Sequence, residues 1–214
     1  MPFTPRQLAA LVVATSFASG LNVYATVATL GLLGRAGVVS LPPSLDVVTS
    51  WWVIAASAGL YLIEFVADKI PAFDLVWNAL QTFVRVPVAA LLAYGATMQL
   101  SVGEQLVATT AGGLIALAAH GGKTAARVAV TPSPEPLSNI ALSLGEDALA
   151  IFIMWLATQH PFWAAGIAAV LLVLIVLVAR AVVRAVQSVF RGAQRQLHAS
   201  SGSNVSGATR PTIT

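Results

Sequence analysis

The sequence predicts an all-α protein built as a polytopic bundle of transmembrane helices, on three observations. Only 9% of the residues are charged, while 57% are hydrophobic; soluble domains carry about 25% charged residues. The apolar residues gather into six stretches, each near the roughly 20 residues that a helix needs to cross hydrocarbon. Short polar or proline-containing connections join them. A soluble fold of this size could not cover its surface with so few charges, whereas lipid tails need no such covering.

Taken in order, the first stretch runs from about Gln7 to Gly34. Arg6 and the apolar run Leu8–Ala18 imitate a secretion signal, but apolar residues continue to Leu33, too far for a cleaved one, so a retained helix is expected. Ser19, Gly20 and Asn22 form a small polar break within it, where small residues allow close helix approach or an unwound turn. The second stretch is Trp51–Ile70 and the third Asp74–Met98. Pro87 lies inside the third, which reads as one crossing or as an interfacial helix, Asp74–Arg85, followed by a shorter crossing. The fourth is Gln105–Val130, the fifth Ser138–Thr158 and the sixth Phe162 to about Phe190. Three prolines bar the connection Thr131–Pro136 from helix, after which Ser138 or Asn139 is the expected N-cap of the fifth helix. That helix N-terminus, with Glu135 beside it, is a candidate anion site through its free N–H groups. Residues 1–198 form the membrane domain, and the Ser-, Gly- and Thr-rich segment 199–214 is expected to be a disordered tail.

Lys and Arg at helix ends set orientation. Six crossings put both termini on one side, which then receives Arg6, Lys69, Lys123, Arg127 and the arginines 180–195, while the other side receives Arg35. Both termini are therefore expected in the cytoplasm of a cell whose inner (plasma) membrane holds the protein. Trp51, Trp52 and Trp163 then fall at the far interface, as aromatic belts do. Leu11–Leu21 resembles Leu106–Leu114, and Ala67–Asp74 resembles Ala157–Ala164; together they suggest a 3+3 inverted repeat with broken or short helices. Chance among small residues would give the same likeness. The absence of cysteine excludes disulfides, thiolate nucleophiles and cysteine metal sites. Arg180, Arg184, Arg191 and Arg195 follow an apolar helix and point to anionic lipid headgroups rather than nucleic acid. Six short helices leave room for a homo-oligomer.

The informative residues are the charged ones. A charge at the centre of a membrane helix costs about 2.5–3.5 kcal/mol on insertion scales. Glu64 and Asp68 share a face of the second segment, and His120, Lys123 and Arg127 share one of the fourth. The third carries Arg85 and the fifth Glu146 and Asp147. At about 1.5 Å per residue these positions lie about 10–16 Å in from one end of their segments, so opposite charges meet at matching depth. The expectation is one polar cavity, open to the cytoplasm, in which Asn22, Glu64, Asp68, Arg85, His120, Lys123, Arg127, Glu135, Asn139, Glu146 and Asp147 are the candidate substrate- or ion-binding residues. The plainer readings are that Glu64, Asp68, Lys69, Lys123 and Arg127 snorkel to water, that His120 only packs, and that Gly112–Gly113 and Gly121–Gly122 are packing surfaces.

Four stretches, SGLNVYATVATLGLLGR from Ser19, EFVADKIPAFD from Glu64, RVPVAALLA from Arg85 and the long AHGGKTAARVAVTPSPEPLSNIALSLGEDALA from Ala119, resemble the DUF4126 family of bacterial multi-pass membrane proteins over about residues 8 to 180. The resemblance implies an architecture and carries no activity.

Function is therefore weighed from the charges. A transporter or permease for an ion or small charged solute comes first, with Glu64, Asp68, Glu146 and Asp147 titrating or holding a cation and Arg85, His120, Lys123 and Arg127 balancing them. Carboxylates of this kind suit hard cations such as Mg²⁺ or Ca²⁺. A structural or accessory subunit is the second reading, since buried polar pairs also fix helix register. An intramembrane enzyme acting on a lipid phosphate, with His120 as base, is the third, though HExxH, GxSxG and Walker motifs are absent from the sequence.

Overall fold

The computed structural model describes residues 3–68, 71–130 and 136–206; the side chains of residues 71–75, 127–130 and 136–139, and most beyond residue 181, lie outside that description. The described residues form α-helices and one 3-10 helix, with no strand among them. The helices are α1 (Pro5–Leu21), α2 (Val23–Arg35), α3 (Trp51–Ala67), α4 (Pro71–Ala96), α5 (Val102–Val130), α6 (Pro136–Gln159) and α7 (Pro161–Ser206), with the 3-10 helix Pro43–Thr49 between α2 and α3.

Four helices are long and apolar enough to cross a membrane, over Val76–Ala96, Val102–Ala126, Ile140–Gln159 and Pro161–Ala181. The count reaches five if the 3-10 helix and α3, bent by 59° at Ser50, make one span. The sequence suggests six; the second stretch counts only as that bent pair, and the first does not count at all. Thr4 caps α1 through a reciprocal box with Gln7, and α1 then runs only to Leu21. Asn22 adopts an extended backbone, and its side-chain oxygen caps α2 by accepting from Ala25 N.

The two helices fold back on each other. Leu11, Val12 and Thr15 of α1 line the same small pocket as Leu30 of α2, Leu45 of the 3-10 helix and Leu92, Ala93 and Ala96 of α4. A straight passage would separate Leu11 from Leu30 by about 28 Å. The direction of α1 follows from α5: Gly112 lies against Ser16, and Gly20 against Ala116 and Ala119, so α1 and α5 run the same way. Beyond α2, the Ser44 hydroxyl donates to Gly95 O near the end of α4. The start of α1 and the end of α2 therefore share the end of the bundle where α4 meets α5. The first apolar stretch is a helical hairpin with its tip at Gly20–Asn22, not one continuous helix. The same direction of α1 and α5 also removes the inverted relation expected between Leu11–Leu21 and Leu106–Leu114.

Other expectations change in detail. Pro87 sits inside one continuous helix, so no break at Arg85 divides the third stretch; membrane helices tolerate such prolines where neighbours compensate the lost bond. Helix α6 begins at Pro136, so neither Ser138 nor Asn139 is its cap. Helix α7 extends to Ser206, into the segment read as a tail; residues 207–214 lie outside the described residues.

The chain divides into two compact units, Met1–Ile175 and Val176–Thr214. In the first, α1 is the central element: apolar on nearly every side, it buries residues all round its surface against α4, α5 and α6. The described part of the second unit is the remainder of α7, with Arg180 and Arg184 exposed.

Candidate functional site

The hairpin tip ends on buried charge. Helix ends leave backbone carbonyls without intrahelical partners, and the tip is buried, so other groups must supply them. At the end of α1, side chains do so. Arg85 Nη1 donates to Gly20 O at 3.0 Å and Leu21 O at 2.7 Å. Lys123 Nζ donates to Leu21 O at 3.1 Å. Two cations therefore face the negative end of the α1 dipole.

The approach that permits this depends on Gly20. A Cβ there would stand 2.5 Å from Ala116 O and 2.6 Å from Ala119 Cβ, so only glycine lets α1 lie this close to α5.

Around the tip, α3 to α6 converge their charges. Arg85 Nη2 pairs with Glu64 Oε1. Lys123 Nζ lies 3.4 Å from Glu64 Oε1, 3.4 Å from Asp68 Oδ2 and 3.5 Å from Glu146 Oε2. Ser143 Oγ donates to Asp68 Oδ2 at 3.4 Å. Asn22 Nδ2 donates to Asp147 Oδ1 at 2.9 Å, tying the tip to α6. Opposite charges from four helices thus answer one another at one depth, as the segment arithmetic requires.

His120 is fixed by both ring nitrogens. Nε2 lies 2.9 Å from the Asn78 carbonyl oxygen, which can only accept, so Nε2 carries the proton. Nδ1 is then bare and lies 3.1 Å from Arg85 Nη1, whose two protons are shared among it and the Gly20 and Leu21 carbonyls.

Burial is nearly complete. Glu64, Asp68, Arg85 and Asn22 are 0% exposed, Lys123, His120 and Asp147 3%, and Glu146 8%. The snorkelling reading fails for Glu64, Asp68 and Lys123, because their side chains end among protein groups. The expected open polar cavity is also corrected: the cluster is closed by its own helices and by the tip. Glu146 and Asp147 both point inward, although neighbours on a helix diverge by about 100°; Lys123 receives the first and Asn22 the second.

Of the remaining candidates, the side chains of Arg127 and Asn139, together with Glu135, Lys69, Arg191 and Arg195, lie outside the described residues. Among the described residues no three His, Asp or Glu groups assemble so as to hold a metal ion. Sequence reasoning missed Ser143, Asn78, Gln81 and Tyr24. Gln81 Nε2 donates to Tyr24 OH at 3.2 Å. Helical spacing held the signal, since Asn78 and Gln81 precede Arg85 by seven and four positions and Ser143 precedes Asp147 by four. The largest omission is the pair of backbone carbonyls at Gly20 and Leu21, for which composition carries no signal.

A bundle of long apolar helices around a closed, charged interior defines a multi-pass membrane protein. The profile of the DUF4126 family, described as a domain of unknown function, matches residues 9–181, and the chain belongs to that family. No curated protein and no solved structure matches it.

Proposed function

We propose that this protein is a transporter or permease for an ion or small charged solute, with the α1–α2 hairpin as its gate and the cluster beneath the tip as its site. The observation that carries this reading is the meeting of two half-helices on buried charge at the centre of the bundle. Discontinuous helices whose ends face a midplane site are a recurrent plan in secondary transporters, and intramembrane charges at such depth mark ion or solute paths. The closed cluster corresponds to an occluded state, from which movement of the tip would admit solute from the side where α4 meets α5.

Membrane placement follows from the same reading. We infer five crossings, α3 to α7, after the re-entrant hairpin, in the inner membrane of a bacterial cell. The end that receives Lys69, Arg127, Arg180 and Arg184 is cytoplasmic, and the opposite end receives Arg6 and Arg35. This keeps the basic bias while moving the first residues to the far side. The arginines 180–195 bind anionic headgroups, each worth about 1 kcal/mol near such a surface.

The test is charge displacement recorded on a solid-supported membrane carrying the purified protein, during pulses of protons, sodium and phosphate. The expected result is a transient current with at least one of these that Glu146→Gln abolishes. Silence of an intact, folded protein to all three would sink the transport reading.

The accessory-subunit reading draws on the mutual ion pairing of Glu64 with Arg85 and Lys123, which would fix helix register without any solute. It predicts a co-purifying partner that Glu146→Gln releases, and no current. The lipid-phosphate enzyme is disfavoured, because both His120 nitrogens are engaged and no lone pair remains to take a substrate proton.

A further inference from the structure

Asp147 differs from the other carboxylates of the cluster. It is 3% exposed, and its Oδ1 accepts from Asn22. Its Oδ2 has no hydrogen-bond partner, and no cation among the described residues pairs with it. The other three carboxylates each face a cation: Glu64 Oε1 holds Arg85 and Lys123, and Asp68 Oδ2 and Glu146 Oε2 face Lys123. A carboxylate ionised at this depth without a cation is penalised by several kcal/mol, and such groups take up a proton instead.

The surrounding groups reinforce this. Helix α3 presents Tyr61 and Glu64, its C-cap is Asp68, α4 presents Arg85, α5 presents Lys123, and Glu146 adjoins Asp147 on α6. The nearer cation, Lys123, already faces Glu64, Asp68, Glu146 and the Leu21 carbonyl, and an ammonium has only three protons to donate. Arg85 is turned to Glu64, His120 and the α1 carbonyls. Asp68 and Glu146 carry the same sign as an ionised Asp147.

We propose that Asp147 is the proton-binding site of the transport cycle and that Asn22 couples its ionisation to the hairpin tip. This rests on the transport reading and adds the identity of the coupling ion. In the closed state Asp147 is a neutral acid, and its carbonyl oxygen accepts from Asn22. Loss of the proton to water, past the more exposed Glu146, leaves a carboxylate that must gain solvent or a cation. Asn22 cannot follow that change without disturbing the tip. It is the only residue between α1 and α2, and its other side-chain atom caps α2. Ionised Asp147 thus favours the open tip, and protonated Asp147 the closed one.

The native chain lacks cysteine, so Thr26→Cys gives a single reporter beside the tip. Its alkylation by N-ethylmaleimide is compared with that of Thr26→Cys/Asp147→Asn, a ratio that cancels the thiol's own ionisation. The ratio is expected to climb by about tenfold for each pH unit over which Asp147 ionises, up to a plateau. Infrared spectra of the protein in detergent are expected to show a protonated-carboxyl band that Asp147→Asn removes. A flat ratio, or a band that survives the substitution, overturns the proposal. If Asp147→Asn does not fold, Asn22→Ala takes its place: it should keep the band and lose the pH dependence of labelling, and a retained pH dependence overturns the coupling. Neither readout requires flux, so a protein that passes both but shows no solute-driven current would refute the transport reading and leave Asp147 as a proton site.

Discussion

At the scale of single residues, the cluster is held by mutual compensation, and removing one member should cost far more than any one contact is worth. Lys123→Met leaves Glu64, Asp68 and Glu146 around an apolar side chain, and breaking a buried pair in this way costs about 3–5 kcal/mol. A large drop in thermal unfolding temperature in detergent is expected. Glu146→Gln, at the most exposed of the four carboxylates, should lower it much less. Arg85→Lys is not a conservative change here, because an ammonium cannot span Glu64, His120 and two carbonyls as the guanidinium does. It should destabilise by about 1–3 kcal/mol through the acceptors it abandons. His120 should show its proton on Nε2 in ¹⁵N NMR of histidine-labelled protein; a protonated Nδ1 would contradict the contact with Arg85.

At the scale of elements, the packing of α1 on α5 makes a graded prediction. Gly20→Ala brings a Cβ against the Ala116 backbone, and overpacking of this kind costs about 1–3 kcal/mol. Gly121→Ala meets nothing within 4 Å and should be neutral or gain up to about 1 kcal/mol from helix propensity. The comparison is made by unfolding both in the same detergent. Equal losses would mean that α1 does not lie where Gly20 needs it.

Much of the charged cluster was readable before any fold was known. Glu64 with Asp68, and His120 with Lys123, repeat at helical intervals, and depth along a helix is simple arithmetic. Hydropathy could not reveal that Leu8–Leu33 turns back at Asn22. An apolar run reports which solvent a segment prefers and not its direction. What directs the turn is far away in sequence: the tip carbonyl of Leu21 meets Arg85 across 64 positions and Lys123 across 102. The capping box at Thr4 and Gln7 is written in the sequence as a Thr followed three positions later by Gln, just ahead of the apolar run.

For the whole molecule, the hairpin changes which parts of the chain share a membrane face. A crossing would put Thr4 and Gly37 on opposite sides, whereas the fold-back puts them together with Ser101 in the α4–α5 connection. Thr4→Cys, Gly37→Cys and Ser101→Cys should therefore all react with an impermeant maleimide from one side of sealed vesicles. Labelling of Thr4→Cys from the side opposite Gly37→Cys would restore the six-crossing plan.

The long reach of the tip contacts also bears on biogenesis. The hairpin is translated before the groups that quiet its tip carbonyls, Arg85 and Lys123, which follow Leu21 by 64 and 102 positions. Until Lys123 has been translated, the hairpin has no finished seat in the bilayer and must wait at the translocon or the lipid surface. Nascent chains cut short before that point should be cleared quickly by membrane proteases, whereas chains ending after α6 should persist.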